Sequence, residues 1–307
     1  MKKNKSFWHK LSEALFFSNL FYGICAAALC LETVHQLSLP HFPWHFYVFT
    51  GLVTTSFYIY AYLPQQLQKN TSNKRSLWYM NHIKALKLFN YSIVISVILI
   101  SAFYIKTFSS EIFNLPAWQI LVCSILITVA ILYYGIENNK FSVNLRRIGW
   151  LKPFIIGFVW AGTVSFFPIL FSGFWHHYSF PLKYLFMFLF IKNMMFITVL
   201  CVLFDIKDYA MDYNHHLQTH VVKFGLRNTI YKYVVPLIIL GLIALYINAW
   251  LLHFNIYRIA INTLPFIAVL LVAFSLQKRR PILYYLSVID GLMLFKALCG
   301  ITAMYVQ

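Results

Sequence analysis

Nine stretches of about 20 mostly apolar residues run through the chain, at roughly 13–34, 45–64, 86–107, 117–135, 153–172, 183–204, 229–249, 257–276 and 281–303. Hydrocarbon offers no partner to a backbone N–H or C=O, so a stretch of this length must pair its backbone within itself, as a helix. Strands of an outer-membrane barrel would be shorter and would alternate strictly between apolar and polar residues. The expected architecture is therefore all-α: a polytopic membrane protein with nine transmembrane helices in a single domain over residues 1–307. Composition agrees, because 61% of the 307 residues are hydrophobic and 11% charged, against about 25% charged in a soluble domain. Only Gln277 to Arg280 separate the last two spans, which requires a tight hairpin.

The charges set an orientation. Lys and Arg total 25 against 8 Asp and Glu, a formal net charge of +17. In a soluble protein such an excess would suggest nucleic acid. Here the basic residues lie between apolar runs, so nucleic-acid binding is excluded and the positive-inside rule applies. The N-terminus and the connections after spans two, four, six and eight together hold 20 basic residues, whereas the opposite side holds only Lys106, Lys183 and Arg258. This bias predicts a cytoplasmic N-terminus, an outer C-terminus and multi-pass insertion in a cell's inner (plasma) membrane. The opening MKKNKSFWHK resembles a signal peptide, but no small-residue cleavage site follows it, and the first run is read as a retained helix. Cys25, Cys30, Cys123, Cys201 and Cys299 all fall in apolar runs without a CxxC pair, a pattern for packing rather than disulfides or zinc.

The acidic residues are concentrated. Three of the four aspartates, Asp205, Asp208 and Asp212, stand in DIKDYAMD at the end of span six. Spacings of three and four place them along one helix face. They would repel one another at a helix C-terminus that already carries partial negative charge, so cations should sit there. Two readings stay open. The carboxylates hold a hard divalent cation, Mg2+, that bridges to a phosphate-bearing ligand, or Lys207, Lys223 and Arg227 neutralise them in a solvated loop.

The stretch DIKDYAMDYNHHLQTHVVKFG resembles the second aspartate-rich motif of the UbiA superfamily of intramembrane prenyltransferases, DxxDxxxD followed by a Thr and a Gly. Asp205, Asp208 and Asp212 match its acids, Thr219 its Thr and Gly225 its Gly. Nine helices, long connections at 65–85 and 205–228, and NLRRIGWLKPFIIGFVW at the entry to span five are also similar to the family. The resemblance implies a Mg2+ site in which Asp205, Asp208 and Asp212 are catalytic and metal-binding. A prenyl diphosphate would lose its diphosphate there and pass its prenyl group to a lipophilic acceptor among membrane lipids. The family's first motif, NDxxDxxxD, has no counterpart, since no Asp or Glu lies between Glu32 and Glu111. In that region Gln65, Gln66, Gln68 and Asn70 offer neutral oxygens, and Lys69, Lys74 and Arg75 offer cations. Either Lys74 or Arg75 replaces a lost cation, with Lys207, Lys192 and Thr219 completing the substrate contacts, or turnover has been lost. The second case would leave a non-catalytic UbiA-fold protein that binds a lipid or isoprenoid. A secondary transporter is a further reading, distinguished by flux into vesicles.

Smaller features have plain alternatives. Lys192 and Asn193 are costly in lipid and should face the bundle interior, at a substrate head or in a structural hydrogen bond. Lys192 precedes Asp205 by 13 residues, about 20 Å along a helix, too deep to touch the diphosphate. Asp290 and Lys296 read as buried structural polarity. His216 and His220 follow Asp212 at intervals of four and could join a transition-metal site, or simply titrate near lipid headgroups. His176 and His177 read as interfacial.

Overall fold

The computed structural model describes residues 7–66, 74–134, 136–138, 141–143, 145, 148–176, 183–214, 216–278 and 280–306. Lys2, Lys3, Lys5, Gln68, Lys69, Asn70, Lys140, Arg146, Arg147, His177 and Arg279 lie outside the described residues, as do the side chains of Gln65, Gln66 and Lys183.

The helices are α1 (Phe7–Phe17), α2 (Leu20–Gln36), α3 (Trp44–Gln66), α4 (Lys74–Thr107), α5 (Ser109–Phe113), α6 (Ala117–Tyr134) and α7 (Lys152–Ala161). After these come α8 (Phe167–His176), α9 (Lys183–Asn214), α10 (His220–Thr229), α11 (Val235–Leu251), α12 (Ile256–Ser275), α13 (Ile282–Tyr284) and α14 (Gly291–Tyr305). The chain is all-helical, as expected of its fold class, with one short hairpin in a connection. Two three-residue strands, β1 (Ile136–Asn138) and β2 (Phe141–Val143), pair antiparallel with Ile136 opposite Val143. They lie in a polar connection with no membrane to cross, where a hairpin satisfies the backbone as well as a helix does.

Among the described residues, six helical stretches are long and apolar enough to cross a membrane, or seven if the bent pair α1–α2 is one span. The expected spans at 45–64 and 117–135 fall on α3 and α6. Tyr58, Tyr60 and Tyr62 with Thr50, Thr54 and Thr55 lower the hydropathy of α3, and α6 is short.

Close packing divides the chain into one unit of Met1–Ala28 with Phe42–Phe113, and another of Leu29–His41 with Asn114–Gln307. In the first, α1 and α2 meet at an angle of 67° around Asn19, whose φ of 67° lies in the left-handed region that asparagine tolerates. Gly23 of α2 crosses Gly51 of α3 so closely that a Cβ at Gly23 would meet the Gly51 carbonyl oxygen at 2.5 Å, the small-residue contact membrane helices use to approach.

In the second unit α9 packs between α7 and α11, while α12 lies along α14. A Cβ on Gly157 would meet Thr198 Oγ1 at 2.2 Å and the Met194 carbonyl oxygen at 2.9 Å, so glycine sets the α7–α9 crossing. Wide π turns at Gly162–Phe166 and Ile230–Val234 each end two residues before a proline, Pro168 and Pro236. A proline lacks an N–H and pushes away the carbonyl four residues back, and a π turn accommodates that displacement. For Pro168 the carbonyl is that of Val164, and it accepts a hydrogen bond of 2.8 Å from Thr33 Oγ1.

Candidate functional site

α9 buries Leu189, Phe196, Val199, Leu200 and Leu203 on one side, and Asp205 and Asp212, two turns apart near its end, are buried on another. The side chain of Asp208, on the turn between them, is 25% exposed. The helix closes at His216, which takes a left-handed φ of 55°, while the Leu217 N–H returns to the Asp212 carbonyl at 2.9 Å. This is the Schellman geometry that ends helices with a left-handed residue. Thr219 then caps α10, its Oγ1 accepting from the Val222 N–H at 3.4 Å. Within α10, Gly225 has φ +75°, a conformation its lack of a Cβ permits.

The cation that answers the aspartates comes from α7. Lys152 Nζ donates to Asp205 Oδ1 at 2.5 Å. Lys152 opens its helix, with Pro153 at the next position. The loop before it is pressed onto the entry to α10, since a Cβ on Gly149 would meet the Gln218 carbonyl carbon at 2.7 Å and the Thr219 nitrogen at 2.8 Å. Lys152 sits at the N-terminus of its own helix, where the helix dipole disfavours a positive charge, and the buried Asp205 carboxylate offsets that mismatch. Lys207 Nζ donates to Asp208 Oδ1 at 2.7 Å and lies 5.0 Å over the Phe204 ring.

Two carboxylate oxygens remain buried without a hydrogen-bond partner, Asp205 Oδ2 and Asp212 Oδ2. Burial pushes the Asp212 carboxyl up to about 6; Asp205 and Asp208 add to the rise and Lys152 opposes it. Among the described residues, two ammonium groups, those of Lys152 and Lys207, pair with this cluster of three carboxylates. Among the described residues no group of three His, Cys, Asp or Glu could by itself hold a metal ion. Mg2+, however, is usually held by one or two carboxylates with substrate phosphates supplying further oxygens. The two orphaned oxygens fit that partial kind of site, not an all-protein cage. They include neither His216, which is exposed, nor His220, whose ring packs 4.5 Å from that of Tyr233.

The structure brings Asp205, Asp208, Asp212 and Lys207 together and adds Lys152, which sequence reasoning counted only toward membrane orientation. Lys223 does not serve as the counterion expected of it; its Nζ lies 5.3 Å over the Phe224 ring. Of the two readings of Lys192, a substrate head or a structural hydrogen bond, the structure shows the hydrogen bond. Lys192 is 2% exposed, donates to Gln36 Oε1 at 2.5 Å and lies 3.4 Å from Glu32 Oε1. Lys296 completes this network, with Nζ 2.8 and 2.6 Å from the two Glu32 oxygens. Gln36 Nε2 donates to Asn262 Oδ1 at 2.8 Å. Gly300 leaves room for Glu32, whose Cγ a Cβ there would meet at 2.5 Å. Glu32 was legible as one of four glutamates, set inside an apolar run opposite two intramembrane lysines. In the first unit Lys74 is exposed and Arg75 is buried. The Arg75 guanidinium donates to Asn19 Oδ1 and lies 4.5 Å over the Tyr62 ring, so it is already engaged.

No protein-family model matches the chain, and no curated protein does. A solved structure of digeranylgeranylglyceryl phosphate synthase in membranes is similar to it, with a TM-score of 0.58. The two are 15% identical, and the likeness covers 96% of this chain and 99% of that one. At that identity what is shared is the fold: this chain is a multi-pass, helical membrane protein with a UbiA-like architecture.

Proposed function

We propose that the chain is an intramembrane prenyltransferase-like protein of a cell's inner membrane, binding a prenyl diphosphate at the end of α9 for transfer to a lipophilic acceptor. The observation that carries this is the buried cluster of Asp205, Asp208 and Asp212, with two unpartnered oxygens, in a fold like that of a synthase whose name specifies a geranylgeranyl-bearing product. The N-terminus faces the cytoplasm in this reading, which puts the cluster on the side rich in Lys and Arg.

The two unpartnered carboxylate oxygens would repel a diphosphate, so in this reading the ligand arrives with a cation. Asp205 Oδ2 and Asp212 Oδ2 would hold Mg2+, which when bound offsets the charge on the departing diphosphate. The chain's own residues do the rest. Lys152 fixes Asp205, and Lys207 fixes Asp208. The reading is tested by giving labelled geranylgeranyl diphosphate to membranes that contain the protein. Label should pass into the lipid-extractable fraction, and Asp212→Asn should stop it.

A second reading is favoured by the same ion pairs. Two of the three carboxylates already have lysine partners, and no acid lies between Glu32 and Glu111. A non-catalytic UbiA-fold protein would bind an isoprenoid or lipid with this site and release no diphosphate.

A further inference from the structure

We infer that Lys152 is a built-in cation of the acidic site, standing on Asp205 Oδ1 in place of one divalent ion and leaving Asp205 Oδ2 and Asp212 Oδ2 to bring in a mobile one. The assignment deepens the reading above and rests on it for the class of ligand, a phosphate ester or diphosphate of a lipid.

Three observations converge on it. First, the ammonium group reaches a carboxylate that is 3% exposed, from a helix start where a positive charge is otherwise disfavoured. Second, the approach is constructed: glycine at 149 lets the preceding loop lie against Gln218 and Thr219, and Pro153 fixes the first turn of α7. Third, Lys152 satisfies only one oxygen of Asp205, and none of its bonds reaches Asp212, so Asp205 Oδ2 and Asp212 Oδ2 still lack partners. A lysine that merely neutralised surface charge would not leave buried oxygens open beside it. The chemistry matches a division of labour. An ammonium on a fixed stem supplies charge and donors but cannot exchange ligands, whereas a divalent ion can take a phosphate oxygen directly. Lys152 therefore sets how many divalent ions the site needs and how tightly it takes them.

The test uses the full chain in lipid discs, with Mn2+ alone as the probe in calorimetric titration. Lys152→Met keeps the stem and removes the charge. It should bind Mn2+ roughly tenfold tighter or more, because a positive neighbour has left, and Mn2+ should raise its Tm by clearly more than the wild type's. Lys152→Arg keeps the charge and should resemble wild type in both measurements. If Lys152→Met is unstable, recovery of folded protein by adding Mn2+ supports the assignment, since an ion has replaced the ammonium. Unchanged Mn2+ affinity and Tm response in Lys152→Met would overturn it. So would a variant that stays unfolded with Mn2+ present, which would mean that Lys152 serves packing that no cation supplies. Binding of geranylgeranyl diphosphate, measured in parallel on wild-type protein, separates the two claims. Its absence, alongside the predicted Mn2+ behaviour, would refute the donor-binding reading and leave the role of Lys152 intact.

Discussion

Replacing Glu32 by Gln should destabilise the protein more than any other single polar change in the second unit. Glu32 is 1% exposed and is the shared partner of Lys296, 2.6 Å from Oε2, and Lys192, 3.4 Å from Oε1. At an effective dielectric of about 20, a pair at 2.6 Å attracts by roughly 6 kcal/mol. Desolvation of the ions offsets most of this in the intact protein. In Glu32→Gln the desolvation cost remains and the attraction is gone, a situation that costs about 3–5 kcal/mol. A proton can leave one lysine instead. From an ordinary pKa near 10.4 that release costs about 4 kcal/mol at pH 7.4, which caps the loss in the same range. Thermal unfolding of the protein in detergent reads it as a fall in Tm of about 10 °C, taking roughly 2–4 °C per kcal/mol for a chain of this size class. Adding Lys296→Met to Glu32→Gln removes the uncompensated charge and should recover at least half of the loss. A Glu32→Gln protein with unchanged Tm, or a double variant worse than the single, would refute the network as drawn.

Other outcomes follow from the same geometry. Gly157→Leu should fail to insert stably or lose well over 1–3 kcal/mol, seen in SDS-titrated unfolding, because its Cβ would already meet the Met194 carbonyl at 2.9 Å. Thr33→Val should cost about 1–3 kcal/mol in the same assay, by leaving the Val164 carbonyl without the hydroxyl it accepts from. Divalent-ion affinity should rise with pH. The Asp212 carboxyl is held up to about 6, so it is neutral and a poor ligand below that value and ionised above it; titration calorimetry with Mn2+ at pH 5.5 and 7.5 checks the direction.

Much of this was legible before the structure. Apolar runs of span length are hard to hide anywhere but lipid, and most coincide with helices, because the period and length of the signal come from the backbone itself. Asp205, Asp208 and Asp212 were legible because acids are rare in this chain and their spacing fits one helix face. Their counterion was not. Lys152 is 53 residues before Asp205, and its lone charge at a span boundary is indistinguishable in sequence from an orientation signal. The same limit applied to Lys192, whose partners Glu32 and Gln36 are 160 and 156 residues away. Burial forced a partner, but only packing could name it. The hairpin of β1 and β2 was missed because a short polar connection carries no periodicity to read.

The central claim is that the carboxylate end of α9 receives a prenyl diphosphate together with a divalent ion. Its most direct test is equilibrium binding of labelled geranylgeranyl diphosphate to the protein in lipid discs, with and without Mg2+, beside Asp212→Asn. Binding should require Mg2+ and be lost in Asp212→Asn, while the variant keeps the wild-type Tm within a few degrees. Binding that persists without Mg2+ and without the Asp212 carboxylate would contradict it and place the ligand elsewhere in the bundle.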